Sequence, residues 1–275
     1  MNVRLISLVA LIVSVFLIAL AVSRPYWYLL RKRVLKSTGD VAIHQGDCIY
    51  SGTGVALPTN FDLLGIDVSH HQGLIDWKKV KSAYVNSRPL SFVFVRATYG
   101  RWKNDKYFTY NWKATAQVGI LRGAYHYYLA NQSAQAQADK FLSRVCDPDG
   151  NYQGDLPPVL DIEEAPTGIP RDEFHTGIKI WLNAVEKKTG LRPIVYSGSK
   201  FYKVNLFPEF KSYPLWVAHY KTDNPSVPSS QTWDLWQFTD RARINGICEP
   251  VDLNISGGVP AFFPKKQLGE LHGRP

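Results

Sequence analysis

Residues 91–97 read Ser-Phe-Val-Phe-Val-Arg-Ala, and this apolar stretch decides the fold class of the chain. Apolar side chains follow one another without polar alternation, which indicates a strand buried on both faces, as in a parallel sheet. A helix capped by Asp76 is predicted before this strand, and a helix over residues 107–118, ended by Gly119, after it. The strand therefore lies within an alternation of strands and helices, which favours an α/β architecture. The apolar face of the first helix is predicted to comprise Trp77, Val80 and Tyr84.

The same alternation extends over most of the chain and then changes character. Further strands are predicted at residues 64–68, 120–128, 156–162 and 193–196, and further helices at residues 133–145 and 172–189. After residue 196 the helical pattern fades, and short strands are predicted at residues 215–218, 233–237 and 251–253. Five strand–helix units followed by three strands predict an α/β fold, an irregular TIM-like (β/α)5(β)3 barrel. A doubly wound open sheet is the alternative, but residues 67–73 lack the glycine-rich turn that such a nucleotide-binding sheet carries after its first strand.

Asp161 and Glu163 are the first candidates for chemistry, because they end the apolar stretch of residues 156–160. Residues two apart on a strand point to the same face, about 6.5–7 Å apart. Two carboxylates this close repel each other, so one of them tends to hold a proton near neutral pH. A protonated acid beside an ionised partner is the arrangement that glycosidic bond cleavage requires. A polar strand end that carries two acids without a catalytic role is the alternative, and the tripeptide alone favours it.

The predicted barrel brings further polar residues to the same place. Active sites of such barrels lie at the carboxyl ends of the strands. Asp67, Tyr196 and Asp252 fall near predicted strand ends on the side of Asp161 and Glu163. Asp67 is predicted either to bind a substrate or to tie neighbouring strand ends together, and both alternatives stay open.

The histidines and cysteines do not predict a metal site. No CxxC motif occurs, and the histidines match no metal-binding spacing such as HExxH. We therefore expect neither a metal ion nor another cofactor. The three cysteines are compatible with one disulfide bond in an oxidising compartment or with three free thiols, and the sequence does not choose a pair. The residues concerned are His70, His71, His126 and His219, and Cys48, Cys146 and Cys248.

The amino-terminal residues predict membrane targeting. Residues 5–22 are apolar apart from two serines, a run longer than a usual signal core and just long enough to span a membrane. Residues 21–23, Ala-Val-Ser, offer a cleavage site, whereas residues 26–28, Tyr-Trp-Tyr, are typical of an interfacial aromatic belt. We favour an uncleaved transmembrane anchor over residues 1–23, with a cleaved signal as the alternative and residues 24–60 as a juxtamembrane linker.

The charge of the chain favours an anionic partner. There are 32 Lys and Arg residues against 23 Asp and Glu residues, a formal net charge of +9. Nucleic acid, anionic lipid and acidic cell-wall polymer all fit this excess, as does a basic surface without a specific partner. No zinc-finger spacing, phosphate-binding glycine loop or arginine-rich helix is present, so nucleic acid is not the expected partner.

Short motifs in a fixed order are spread over residues 63–257. They are Gly65-Ile66-Asp67-Val68-Ser69 with Gln72-Gly73, Trp77 with Val80, Gly119-Ile120 with Gly123-Ala124-Tyr125-His126-Tyr127, Leu160-Asp161-Ile162-Glu163, Pro193-Ile194-Val195-Tyr196-Ser197, Leu235-Trp236-Gln237-Phe238 and Val251-Asp252-Leu253-Asn254. Taken together and in this order, the motifs resemble glycoside hydrolase family 25, a family of lysozymes. Any one of them alone is weak evidence, whereas several over nearly the whole domain are specific.

The resemblance implies a barrel of five strand–helix units and three strands, formed by residues 61–258, with residues 259–275 as a tail. It also implies cleavage of the β-1,4 bond between N-acetylmuramic acid and N-acetylglucosamine in peptidoglycan. Glu163 is expected to be the general acid, with its pKa raised by the charge of Asp161. The acids that match the family's catalytic positions are Glu163, Asp161, Asp67 and Asp252. The expected substrate-binding residues are Tyr125, Tyr196, Trp216, Gln237 and Tyr99.

Tyr99 marks a departure from the family pattern. The family's second strand usually ends Lys-Ala-Thr-Glu-Gly, whereas residues 96–100 read Arg-Ala-Thr-Tyr-Gly. We expect this exchange of a carboxylate for a phenol to alter substrate preference rather than abolish activity. It also keeps open a membrane-tethered peptidoglycan-binding module with little or no turnover. A polysaccharide deacetylase, which needs one Asp and two His at strand ends, is the further alternative.

Peptidoglycan as the expected partner places the body of the protein outside the cytoplasm. It would lie at a bacterial inner membrane facing the periplasm or exterior, or be secreted after signal cleavage. Basic residues 31–33 follow the apolar segment, and the positive-inside rule would instead keep the body in the cytoplasm. That rule is statistical, and a large trailing domain is translocated regardless of charge. We expect the protein to be a monomer.

Overall fold

The computed structural model describes residues 54–264, and within them eight strands close into a barrel. The barrel closes because the first strand pairs with the second on one side and with the eighth on the other. This closure confirms the predicted barrel and removes the open sheet as an alternative. The strands are β1 (Leu64–Val68), β2 (Phe92–Tyr99), β3 (Leu121–Tyr127), β4 (Val159–Asp161), β5 (Ile194–Gly198), β6 (Leu215–Ala218), β7 (Leu235–Ala242) and β8 (Val251–Ser256).

Helices follow the first five strands, as a (β/α)5(β)3 barrel requires, although the sequence pattern predicted no helix after residue 196. Asp76 caps the first helix by accepting hydrogen bonds from the backbone of Lys78 and Lys79, and Ser133 caps the third. Gly190 ends the fourth helix in the left-handed conformation, at φ 70°. The helices are α1 (Trp77–Lys81), α2 (Phe108–Gln117), α3 (Ala134–Val145), α4 (Arg171–Thr189) and α5 (Ser199–Phe201), the last continued by a π-helical turn (Tyr202–Leu206).

The direction of β8 corrects the expectation of a parallel barrel. The pairs from β1 round to β7 are parallel, whereas β8 runs antiparallel to both β7 and β1. Asp252 therefore lies at the amino end of its strand, where it pairs with Asp67 near the carboxyl end of β1. The reversal brings these two acids to the same rim of the barrel.

Two predicted elements are shorter in the structure. The strand predicted at residues 156–162 spans only Val159–Asp161, since Pro157 and Pro158 have no N–H to donate to a sheet. Glu163 consequently follows the strand instead of lying within it. Tyr84 does not lie on the face of α1, because the helix ends at Lys81 and Tyr84 is 66% exposed in a two-residue strand.

Aromatic rings fill the interior of the barrel below its open rim. Phe92 and Phe94 point inward from β2, and Phe94 stacks on Trp216 with ring centroids 4.8 Å apart. Gly65 and Gly123 make room for these rings, because a Cβ at either position would lie within 2.5 Å of a phenyl carbon. The filled interior forms a floor, so any ligand must bind at the rim.

The segment after β8 also contributes to this interior. Phe263 is 2% exposed and packs edge-on against Phe92, with ring centroids 5.3 Å apart. Residues 259–264, assigned from the sequence to a tail, thus include a residue of the barrel core.

The predictions for both termini lie largely outside the described residues. The apolar segment of residues 5–22, the linker up to residue 53 and Cys48 belong to that part of the chain. Among residues 54–264, no helix has the length and apolar character that a membrane crossing needs. Cys248 is disulfide-bonded and Cys146 is a free thiol, so the reading of three free cysteines is wrong.

Candidate active site

A cleft of about 260 Å³ opens at the carboxyl ends of the parallel strands. It brings together all four acids predicted from the sequence: Glu163, Asp161, Asp67 and Asp252. Four predicted substrate-binding residues also line it: Tyr125, Tyr196, Trp216 and Gln237. The ninth predicted residue, Tyr99, does not line this cleft.

Asp161 and Glu163 form a hydrogen-bonded carboxyl pair at the rim. Asp161, the last residue of β4, is 5% exposed, whereas Glu163 is exposed in the loop that follows. Asp161 donates the hydrogen bond, which requires that it carry a proton. Its pKa is raised well above the ordinary value, first by burial and then by the negative charge of Glu163.

Glu163 also has a raised pKa, but for a different reason from the one expected. The first cause is its partial removal from water in the cleft, whereas the hydrogen bond from Asp161 lowers its pKa. The contact between the two carboxyls thus favours a proton on Asp161 over one on Glu163. The two carboxyls are coupled, so they titrate as a unit. The buried Oδ1 of Asp161 has no hydrogen-bond partner among the described residues and is free to accept one from a ligand.

Asp67 and Asp252 form a second carboxyl pair on the opposite wall. Burial raises the pKa of Asp67 to about 6. Burial, followed by the charge of Asp67, raises the pKa of Asp252 to about 9. Asp252 thus keeps its proton near neutral pH and donates it in a hydrogen bond to Asp67. Near neutral pH the pair of Asp67 and Asp252 therefore carries one negative charge and one proton.

Two side-chain amides hold Asp67 in place. Nε2 of Gln237 and Nδ2 of Asn254 each donate a hydrogen bond to Oδ2 of Asp67, both at 2.8 Å. These bonds favour the ionised form of Asp67 and oppose the effect of its burial. Asp67 therefore ties β1 to β7 and β8, as expected if it holds neighbouring strand ends together.

Aromatic side chains fix the orientation of these amides. The indole N–H of Trp216 donates to Oδ1 of Asn254 at 2.8 Å. The hydroxyls of Tyr196 and Tyr220 both donate to Oε1 of Gln237, at 2.8 and 2.6 Å. Each amide is thus left with its N–H groups directed at Asp67. Tyr220 lies in the loop after β6 and carried no signal in the sequence, because no periodic pattern covers that loop.

Arg96 is a cationic residue of the cleft that the sequence pattern did not single out. It follows Phe92 and Phe94 in the inward-facing register of β2, and its Nε donates to Oδ2 of Asp105 at 3.1 Å. Its charge lowers the pKa values of Asp161 and Glu163, against the effect of their burial. An inward-facing charge in an otherwise apolar strand is costly unless it is paired, and this was the signal that could have identified it.

Tyr99 lies beside the cleft, behind one of its walls. Its ring stacks on that of Tyr127 with centroids 4.7 Å apart and an angle of 12°. Tyr127 lines the cleft and donates from its hydroxyl to Oε1 of Glu164 at 3.0 Å. Tyr99 itself faces a neighbouring cavity, so the exchange of a carboxylate for a phenol leaves the carboxyl pairs intact.

His70 and His71 lie beside each other, with ring centroids 4.1 Å apart, whereas His126 and His219 lie on other parts of the barrel. His126 is fully buried, its pKa is lowered to about 4 by burial, and it is bonded to Thr98 and Gln137. His219 lies after β6, where its Nδ1 accepts a hydrogen bond from the backbone of Ser226. Within residues 54–264, no three His, Cys, Asp or Glu side chains are grouped so that they could hold a metal ion.

Four carboxyls gathered at the open rim of a filled β/α barrel are typical of glycoside hydrolases. The family model of the glycosyl hydrolases family 25 matches residues 66–247, a range that includes three of the four acids, all but Asp252. The chain belongs to this family.

Known relatives and structures agree with the family assignment. The uncharacterized protein YegX of Escherichia coli is 42% identical over 205 residues, which cover 74% of this chain and 73% of YegX. Lysozyme M1 of Streptomyces globisporus is 35% identical over 210 residues, covering 72% of this chain and 68% of that protein. The crystal structure of a bacterial lysozyme from Streptomyces coelicolor superposes with a TM-score of 0.65 at 32% identity, covering 75% of this chain and 95% of that one.

Proposed function

We propose that this protein hydrolyses the β-1,4 bond between N-acetylmuramic acid and N-acetylglucosamine in peptidoglycan. The observation that carries the proposal is the position of Asp161 and Glu163, two carboxyls that line the same open cleft at the rim of the barrel. The names of the relatives support it, since two of them are lysozymes. The excess of basic residues is compatible with an acidic wall polymer as substrate.

Glu163 acts as the general acid in this proposal, because it is the exposed member of the pair. The shared proton passes from Asp161 to Glu163 and then to the glycosidic oxygen. The bond between that oxygen and the sugar C1 breaks, and the leaving sugar departs as an alcohol. Asp161 is then ionised beside the positive charge that develops on the remaining sugar, where it stabilises the transition state. Glu163, now a carboxylate, takes a proton from the water that completes hydrolysis.

Closeness of the two carboxyls favours retention of configuration. Inverting enzymes keep their carboxyls about 6.5–9.5 Å apart to hold a water between them, and a hydrogen-bonded pair leaves no such room. The intermediate is closed either by the carboxylate of Asp161 or by the acetamide oxygen of the substrate. Both routes place the incoming water on the face that the leaving sugar occupied.

The second pair and the aromatic wall bind the sugar. Asp67 and Asp252 present one carboxylate and one carboxylic acid, which together accept and donate hydrogen bonds to sugar hydroxyls. Tyr125, Tyr196 and Trp216 offer flat apolar faces in the same cleft.

We also propose that the enzyme acts outside the cytoplasm, as its substrate requires. The disulfide bond of Cys248 supports this location, because such bonds persist in oxidising compartments. A membrane tether and a monomeric state belong to the same proposal. A reporter fused after residue 275 tests the side of the membrane, and size-exclusion chromatography tests the monomer.

Incubation of the purified full-length protein with peptidoglycan, with and without a chelator, tests the activity. After borohydride reduction, mass spectrometry should find N-acetylmuramitol at the new chain ends in both samples. N-acetylglucosaminitol would mean cleavage of the other glycosidic bond. If the protein sediments with the cell wall but produces no new chain ends, it is a peptidoglycan-binding module. If it releases acetate and the chelator stops this release, it is a deacetylase.

A further inference from the structure

A second cavity, of about 300 Å³, lies next to the catalytic cleft. The two are adjacent, because His71 and Arg96 line both of them. The outer side of this cavity is formed by the hairpin after β2, in which residues 103–104 pair antiparallel with Thr98 and Tyr99. A polymer that extends from the carboxyl pairs along this side of the rim must pass the cavity.

The cavity is strongly basic. Lys103, Lys106 and Arg96 contribute three cations against a single carboxylate, that of Asp105. Asp105 is already used, since its side chain is 1% exposed and accepts from Nε of Arg96 at 3.1 Å and from the backbone of His70 and Tyr107. What remains available to a ligand is positive charge.

The two lysines are free to meet an anion. Lys103 and Lys106 are both exposed, and neither forms an ion pair with a carboxylate within residues 54–264. Each instead lies over an aromatic ring: Nζ of Lys103 is 5.4 Å from the centroid of Tyr99, and Nζ of Lys106 is 4.8 Å from that of Tyr107. Cation–π contacts of this kind hold an ammonium in place without neutralising it.

Resting on the proposed function, we propose that this cavity binds the carboxylates of the peptide attached to muramic acid in the substrate. A glycan strand offers no strong negative charge of its own apart from the lactyl group, and that group is consumed by the amide bond to the peptide. The peptide, by contrast, carries free carboxylates and is attached to the same sugar. Ion pairs with Lys103 and Lys106 would then make this enzyme prefer glycan with peptides to bare glycan, and Tyr99 would form an uncharged wall beside Lys103.

The test compares two soluble substrates: glycan strands with intact peptides, and the same strands after an amidase has removed the peptides. We expect the wild-type enzyme to have the lower KM on the intact strands. In the double variant Lys103→Gln/Lys106→Gln, the ratio of KM on stripped strands to KM on intact strands should fall about five-fold. This is the size expected for the loss of two exposed ion pairs. The introduction of a carboxylate into the cavity by Tyr99→Glu should reduce the preference as well, whereas Tyr99→Phe should preserve it.

The matched control is Lys113→Gln/Lys187→Gln, which removes the same charge from the outer faces of α2 and α4. It should keep the wild-type preference, and loss of preference there would assign the effect to net charge and overturn the proposal. Equal preference in the wild type and the Lys103→Gln/Lys106→Gln variant would overturn it too. If the wild type cleaves neither substrate, the proposed function fails, and binding of the two strands measured by fluorescence polarisation still decides the peptide site.

Discussion

Replacement of Glu163 by glutamine is expected to lower kcat on peptidoglycan by about 10³-fold, within the range for loss of a general acid. Glutamine has nearly the same shape but cannot carry the proton to the glycosidic oxygen. The substitution also leaves Asp161 without a carboxylate to accept its hydrogen bond. The release of reducing ends from peptidoglycan measures the effect, with circular dichroism to establish that the variant is folded.

Glu164→Gln is the matched control for this variant. Glu164 is the next residue along the chain and is exposed, but its carboxylate bonds to the hydroxyl of Tyr127 and does not line the cleft. Its charge adds to the raised pKa of Glu163, so we expect a loss of less than about ten-fold. Full activity of the Glu163→Gln protein, or an equal loss in both variants, would refute the role assigned to Glu163.

Replacement of Asp161 by asparagine is expected to have the second largest effect, a fall in kcat of about 10²–10³-fold. Asparagine can still donate a hydrogen bond to Glu163, but it cannot become negatively charged beside the sugar cation. The temperature of thermal unfolding should stay nearly the same or rise, because the substitution replaces a buried ionisable group by a neutral one. Asp139→Asn, on the exposed face of α3, is a charge-matched control that should retain activity.

The pH profile separates this role from a merely structural one. In the wild type the pair keeps its proton to high pH, since the pKa of Asp161 is raised well above its ordinary value. In Asp161→Asn only Glu163 can hold the proton. The hydrogen bond that Glu163 accepts from the side chain at position 161 lowers its pKa. The alkaline limb of the residual activity should therefore move to lower pH. An unchanged limb would show that Asp161 does not share the catalytic proton.

The strands and helices of the barrel were largely predictable, because their apolar periodicity is local. The run of residues 91–97 and the caps at Asp76 and Ser133 identify their elements without knowledge of the rest of the chain. The direction of β8 was not predictable in this way. Residues 238–250, which separate the two strands predicted from the sequence, are long enough for a connection of either direction, whereas the extension of β7 to Ala242 leaves a short connection that favours the antiparallel one.

The candidate site shows the same division between local and tertiary information. The carboxyl pair of Asp161 and Glu163 is visible as a spacing in the sequence. The location of its proton is not, because burial of Asp161 depends on strands that are distant in sequence. Arg96 and Tyr220 were missed for a related reason, since their place at the rim follows from strand register and loop path.

The anomeric configuration of the first product tests the central claim, that the close carboxyl pair of Asp161 and Glu163 cleaves the glycan with retention of configuration. Proton nuclear magnetic resonance can follow a soluble peptidoglycan fragment from the moment the enzyme is added, before mutarotation mixes the anomers. We predict that the β-anomer of the new reducing sugar appears first, because the water enters on the face that the leaving sugar occupied. First appearance of the α-anomer would require a water between two separated carboxyls and would contradict the account.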